Sequence, residues 1–562
     1  MFFKQPLFKG SRFQLSLLLL IGFFLLFSVM AWHNMVTLPF HDFDEAHRAE
    51  GARNMRLHQY YISPLVGGPT NRCNHLDSTL DAPLQITHAN QRYTYALDSS
   101  KTLCPVPSRP PLVFNTMALT SVFSDSEWSY RLPSFLFGLL GIASLGYFMM
   151  QHQVLEKNKD SKNSFSCTIA LIIALLCFVT AYDWWQSMQM AHLDTAVASF
   201  TAFALLLLIL FAESQKKTYL IASGVSLGLA IMSKGQPAVV FLAPVPYLFY
   251  AHKISLKNLL TLFVTTGITL LPWLVPLAMR HGFDYFFRSY FGSYVASPGA
   301  SKIGGSDQSQ AAPFYWYIRW WFDSFRPGWV LFASLAVYDL LKRKLSWQKI
   351  TLLFYIVGTL GLFSYSNSKV WWYVLPAIPG VAGYIYFSVK DYLVERKQRL
   401  INIALIVVLA SLPLFRFQTN TIAIAYGLVS MLIAFCLLLV KKWPRLSMSS
   451  FIKHPSWILA FSLVFSLISF TIAFPKSDIP YPEAKKIGQI YQEINLPKCL
   501  WLEQELHYEA LLFYTQAGQV NYLTPDNQLN PNCRNYLITT QEMQEAKFID
   551  KIDRLWLYQL NQ

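Results

Sequence analysis

Charge is what this sequence has least of. Asp, Glu, Lys and Arg make up 14% of its 562 residues, well under the roughly 25% of an average soluble domain. With 54% of the residues apolar, that shortage excludes a soluble protein. Negative charge is the scarcer sign, at 31 acidic against 46 basic side chains. Cysteine is sparse, with 7 in all. A strong metal signature, a Gly-rich phosphate loop, a nucleophile elbow and the standard cofactor fingerprints are all missing.

What fills the chain is apolar length. About thirteen apolar spans can be traced, centred roughly near residues 25, 140, 173, 202, 226, 243, 268, 333, 357, 379, 406, 431 and 464. The first, roughly Leu15 to Met35, follows Lys4, Lys9 and Arg12. That order keeps its start in the cytoplasm and brings its end outside. Its length, and the weak cleavage site Ser28-Val29-Met30-Ala31, make it an uncleaved anchor rather than a signal peptide. Counting onward, the cytoplasmic turns carry Lys157, Lys159 and Lys162, then Lys216 and Lys217, Lys253 and Lys257, Lys342 to Lys344 and Lys349, Lys390 to Arg399, and Lys441 to Lys453. The short outer turns hold chiefly Lys234, Lys369 and Arg416. The formal charge of +15 is therefore mostly an orientation device, and nucleic acid is excluded as a partner. The 43 Phe, 30 Tyr and 16 Trp suit lipid-facing helices and interfacial belts.

The same topology puts Cys73, Cys104, Cys499 and Cys533 outside, while Cys167, Cys177 and Cys436 lie in apolar spans as small packed hydrophobes. Local Cys73–Cys104 and Cys499–Cys533 bridges are expected, although four cysteines permit three pairings. The expected fold is a polytopic all-α membrane domain over residues 1–474, with outer loops at 36–130 and 280–325. A small outer α/β domain over 475–562 follows it. In the first loop a helix is expected from Ala46 to His58, and the Leu112–Phe123 segment is expected to be re-entrant or to lie along the membrane. In the tail, Cys499-Leu-Trp-Leu, Val520-Asn-Tyr-Leu, Tyr536-Leu-Ile-Thr and Leu555-Trp-Leu-Tyr read as strands, with a helix from Tyr508 to Ala517.

One outer motif stands apart. Phe40-His41-Asp42-Phe43-Asp44-Glu45 follows directly on the first span, and carboxylates beside lipid are costly unless solvated, paired or used. Asp42, Asp44, Glu45, Arg109, His192, Asp194, Lys234, Arg280, Arg288 and Lys369 share its predicted side of the membrane. A lipid-linked sugar donor needs such a set. Arginine forks match phosphate oxygens and lysine supplies a point charge, and both can stabilise a departing polyprenyl phosphate. Asp44 is the leading catalytic candidate, to orient an acceptor, take its proton, or stabilise positive character at the sugar carbon. Glu45 and Asp194 are the further catalytic candidates, and Arg109, Lys234, Arg280, Arg288 and Lys369 the donor-binding ones. Structural alternatives stand beside these: Asp42, Asp44 and Glu45 as helix-capping boundary residues, and Asp194 as the N-cap of its span. No cofactor is firmly required. A divalent ion held by His41, Asp42, Asp44 and Glu45 is an open alternative.

The motifs Asp44-Glu45-Ala-His-Arg-Ala-Glu-Gly-Ala-Arg-Asn-Met, Arg109-Pro110-Pro111, Tyr130-Arg131-Leu132-Pro133-Ser134, Lys234-Gly235 and Ser368-Lys369 to Pro376 resemble, in order, those of the GT-C membrane glycosyltransferases. The nearest branch is the lipid A aminoarabinose transferase and protein mannosyltransferase group. The resemblance implies an inverting transfer from a polyprenyl-phosphate sugar to lipid A or another envelope glycolipid. It places the catalytic role on Asp44 and phosphate contacts on Arg109, Lys234 and Lys369, with Arg280 and Arg288 as further candidates. It also implies a bacterial inner-membrane enzyme, expected as a monomer, whose active site and C-terminal domain face the periplasm. Two departures stand out: Arg109 replaces the Lys or His common in relatives, and no histidine precedes Pro313. Protein O-glycosylation is the close alternative. Transport of a lipid-linked sugar, from a different class, predicts crossing without bond formation.

Overall fold

The structure, a computed structural model, describes residues 43–67, 109–157, 164–179, 181–282, 313–324, 326–365, 369–394 and 482–494, the strands named below, and scattered positions between 25 and 40. Helix α1 (Phe43–Leu57) opens the outer region, as its expected helical stretch requires. Strands β1 (Leu65–Gly67) and β4 (Leu103–Pro105) pair antiparallel, as do β2 (Leu84–His88) and β3 (Gln91–Tyr95). Helix α2 (Leu112–Thr120) is nine residues long, too short to cross a bilayer. Leu119, Val122 and Phe123 are exposed at its C-terminal end.

The helical body follows: α3 (Glu127–Lys157), α4 (Ser164–Val179), α5 (Tyr182–Met188), α6 (Leu193–Ser214), α7 (Lys217–Lys234), α8 (Val245–Tyr250) and α9 (Leu256–His281). Past residue 312 come α10 (Trp316–Ser324), α11 (Arg326–Leu341), α12 (Trp347–Tyr365) and α13 (Ala377–Val394). The chain is thus a polytopic, mostly helical membrane protein. Among the described residues four helical segments are long and apolar enough to cross: Glu127–Leu155, Leu193–Ser214, Leu256–Arg280 and Trp371–Leu393. Shorter or less apolar helices stand at other expected spans. The one near residue 243 is a 3-10 turn (Gln236–Leu242) followed by the short α8. Pro237, Pro244 and Pro246 explain this, since proline removes the N–H that a continuous helix needs. Those near 406, 431 and 464 lie outside the described residues.

Helices α6 and α7 form a tight hairpin turning on Gln215 in the left-handed region. Hydroxyls bind it together: Ser223 donates to the Ala204 carbonyl and Ser226 to that of Phe200. Gly224 and Gly228 let α9 approach α7, and Thr266 donates to the Gly224 carbonyl. Small residues and hydroxyls are the usual means by which membrane helices pack closely. Asp339, near the C-terminal end of α11, ties three helices together. It accepts from Tyr384, Ser388 and Tyr392 of α13 and pairs with Lys349 of α12 at 3.2 Å.

The C-terminal region is α/β. Helix α14 (Pro482–Glu493) precedes five strands, β5 (Lys498–Leu502), β6 (Val520–Tyr522), β7 (Arg534–Thr539), β8 (Lys547–Ile552) and β9 (Leu555–Gln559). They form one sheet in the order β6-β5-β7-β9-β8, parallel through β6-β5-β7 and antiparallel beyond. Lys485 of α14 pairs with Glu127 at the start of α3, at 2.6 Å. The expected helix at 508–517 lies outside the described residues, as do the side chains needed for both disulfides. Cys167 and Cys177 are buried in α4, as their apolar surroundings require.

Candidate active site

Helix α1 places Asp44 and Glu45 in its first turn, where acidic groups face unpaired amides. Their fates differ. Glu45 is fully buried and accepts from Arg131 through both oxygens, Nε to Oε1 at 2.6 Å and Nη2 to Oε2 at 2.9 Å. Its Oε1 also accepts the Ala191 backbone N–H at 2.8 Å. Arg131 sits near the N-terminal start of α3, and its remaining donors reach the carbonyls of Met35 and Pro39. Glu45 is thereby engaged in holding the entry of α1 against the connection before α6. Arg48 adds a second tie, to the Ala191 carbonyl. Arg131 also lies 5.3 Å from the Phe40 ring centre. The side chain of Asp44, with His41, Asp42 and Arg288, lies outside the described residues.

The connection thus gripped leads into α6. His192 is its N-cap, without a side-chain cap bond, and Ser134 exchanges hydrogen bonds with the His192 backbone. The His192 ring is buried against Trp371, stacked at 6.0 Å, and Trp372, edge-on at 4.8 Å. Asp194 is not the cap that the sequence allowed: it sits two positions further in and is 1% exposed. Its Oδ1 accepts from Lys234 Nζ at 2.5 Å, while Oδ2 accepts no hydrogen bond from the described residues. Lys234 ends α7 because Gly235 takes φ +81°. Its ammonium stands 4.6 Å from the Tyr373 ring centre, a cation–π arrangement.

Tyr317 of α10 closes this side. Its hydroxyl donates to the Val370 carbonyl and accepts the Val370 N–H, both at 3.2 Å. Burial pushes its phenol pKa up; the Val370 bond offsets part of that, while Tyr373 and Asp194 add to it. A neutral tyrosine, a lysine and a carboxylate with one open oxygen therefore share one polar centre on the expected outer side. Lys369 is half-buried beside Val370. Arg109 is half-buried ahead of α2, next to Pro110. Arg280, exposed at the end of α9, lies over the Tyr60 ring at 5.0 Å. The structure so gathers Glu45, His192, Asp194 and Lys234. Arg280 sits at the far end of α1, where Tyr60 follows.

Several partners escaped the sequence reading: Arg131 as the lock on Glu45, Tyr373 under Lys234, Tyr317, and Asp183, which accepts from the Trp320 indole. An arginine in the apolar run of α3 was the one available signal, since a buried arginine needs a partner. Among the described residues no group of three or more His, Cys, Asp or Glu is arranged to hold a metal ion. The alternative built on His41 and Asp42 falls outside them.

The family model for dolichyl-phosphate-mannose-protein mannosyltransferase matches residues 108–277, the stretch carrying Arg109, Arg131, Asp194 and Lys234. An undecaprenyl phosphate-alpha-4-amino-4-deoxy-L-arabinose arabinosyl transferase of Aeromonas salmonicida (strain A449) is 23% identical over 296 residues, 51% of this chain and 50% of its own. A transferase of the same description from Pseudomonas fluorescens (strain Pf0-1) is 26% identical over 184 residues, 32% of this chain and 31% of its own. The chain spans about half the length of the first of these relatives. The crystal structure of ArnT from Cupriavidus metallidurans bound to undecaprenyl phosphate superposes with a TM-score of 0.65 at 16% identity. It covers 96% of this chain and 98% of that one. The apo form gives 0.63 at 15% identity, with the same coverage. The two share this chain's fold along nearly its whole length.

Proposed function

We propose that this chain is a GT-C-type membrane glycosyltransferase that moves a sugar from undecaprenyl phosphate, or a related polyprenyl phosphate, to lipid A or another envelope glycolipid. The observation that carries this reading is the buried Asp194–Lys234 pair with its open Oδ2, joined to the α1 entry through Glu45 and Ala191. The relatives named for undecaprenyl phosphate-aminoarabinose transfer support the donor class.

In this reading Lys234 neutralises the donor phosphate as charge develops on it, with Arg109 and Lys369 as further cations and Arg280 and Arg288 as additional candidates. Asp44 orients the acceptor and stabilises positive character at the sugar carbon. With a hydroxyl acceptor it also takes the proton. Asp194 holds Lys234 in place and offers its second oxygen to a sugar hydroxyl or amino group. A single displacement inverts the anomeric centre. The oriented site faces the periplasm of a multi-pass inner-membrane protein with about thirteen spans. Residues 1–474 form the membrane domain and 475–562 the periplasmic one. The chain works as a monomer without a required metal ion.

The reading is tested by supplying purified protein with a panel of polyprenyl-phosphate sugars plus lipid A and peptide acceptors, followed by mass spectrometry. A sugar-sized mass gain on lipid A supports it. A gain on peptide alone shifts the acceptor to protein, and no gain from any donor, with lipid-linked sugar bound, favours transport.

A further inference from the structure

Asp183 lies in the short outer helix α5, in the same connection that leads to His192 and Asp194, and is completely buried. Both its oxygens accept from Nε1 of Trp320, at 3.2 and 3.1 Å. Trp320 belongs to α10, where it stacks on Trp316 at 5.3 Å with the planes 12° apart. One turn earlier in α10, Tyr317 holds both backbone groups of Val370. The 3-10 turn Trp371–Val374 packs against both α5 and α10, and it brings Trp371 and Trp372 to His192 and Tyr373 to Lys234.

An indole offers one donor and no acceptor, and a carboxylate kept from water carries a desolvation cost. An apolar pair would pack the same two helices together without that cost. What the carboxylate–indole pair adds is direction, since a charge-assisted hydrogen bond fixes how α10 is rotated against α5. Rotation of α10 decides whether Tyr317 reaches Val370.

We propose that Asp183 is a positioning residue for the donor site. Its carboxylate seats Trp320, and through α10 it holds Tyr317 on Val370 and the 369–374 turn against His192, Asp194 and Lys234. This rests on reading that centre as the place where the donor binds.

The test measures binding of undecaprenyl phosphate by calorimetry, and donor KM and kcat in transfer, for Asp183→Leu, Trp320→Phe, the double variant and Asp183→Asn. Misplacement of the site by a fraction of an ångström weakens undecaprenyl phosphate binding and raises donor KM about tenfold in Asp183→Leu and in Trp320→Phe. kcat changes less, and the double variant is no worse than either single one. Asp183→Asn stays within about threefold of wild type, because its amide oxygen still accepts the indole proton. Unchanged affinity in a folded variant, or additive losses in the double, overturns the proposal. Trp320→Phe alone decides it should Asp183→Leu not fold. A wild type that binds undecaprenyl phosphate but transfers no sugar sinks the transfer reading, and the binding series still decides the role of Asp183. A wild type that does not bind undecaprenyl phosphate overturns both.

Discussion

Glu45 and Arg131, 86 positions apart in sequence, meet through two parallel hydrogen bonds in a site closed to solvent. Removing one partner leaves the other charge buried and unpaired, which typically costs about 3–5 kcal/mol. Arg131→Met is therefore expected to lower the unfolding temperature sharply and to cut the yield of folded protein. Glu45→Gln, which keeps acceptor capacity at one oxygen, should cost less. Thermal unfolding of the two variants in the same detergent checks the order.

Lys234 is the cation placed against Asp194 and over Tyr373. Lys234→Met should reduce transfer by about 10²–10³, the usual loss when a group stabilising developing charge is removed. Lys234→Arg should recover part of it. Steady-state kinetics with a polyprenyl-phosphate sugar is the measurement. A Met variant with full kcat would move the phosphate role to Arg109 or Lys369.

Asp125 shows a pH dependence outside the membrane. Burial pushes its carboxyl up, but hydrogen bonds from Arg56 and Tyr130 and the charges of Arg56 and Arg53 outweigh it and hold the pKa below its ordinary value. A depressed folded pKa contributes stability that is present above the unfolded value and lost as pH falls through the folded one. Asp125 is 45% exposed, so screening limits the effect to about 0.5–1 kcal/mol. Asp125→Asn should be slightly less stable than wild type at pH 7. The gap should close as pH drops below about 4, read by unfolding at both pH values.

A Cβ on Gly224 would meet Thr265 Oγ1 at 1.8 Å and the Leu262 carbonyl at 2.7 Å. Gly224→Val should thus push α7 and α9 apart and destabilise by about 1–3 kcal/mol, the range for overpacking. Gly267 on α9 has nothing within 4 Å of such a Cβ, so Gly267→Ala should be neutral or mildly stabilising through helix propensity. Thermal unfolding of the pair separates close approach from the mere presence of a side chain.

Much of this architecture is legible in the sequence because apolar length and lysine placement act locally. The helix at Asp44, the hairpin ending at Lys234 and four of the five tail strands all follow from patterns within one segment. The fifth, Lys547–Ile552, escapes because it is an edge strand with lysines at both ends of its run and a bulge between Phe548 and Asp550, which breaks the two-residue alternation. The roles of the two adjacent carboxylates escape for a different reason. That Glu45 is buried depends on an arginine 86 residues away, and a sequence orders residues without pairing them. The same holds for Lys234, whose place at a turn between spans was visible while its partners Asp194 and Tyr373 come from other elements.

The most direct measurement compares wild type with Asp44→Asn, both purified in lipid nanodiscs with a polyprenyl-phosphate sugar and lipid A, by mass spectrometry of the acceptor. A sugar-sized gain on lipid A is expected for wild type and none for a folded Asp44→Asn that still binds undecaprenyl phosphate. Equal mass gain in both would contradict this, by removing the catalytic carboxylate from the site described.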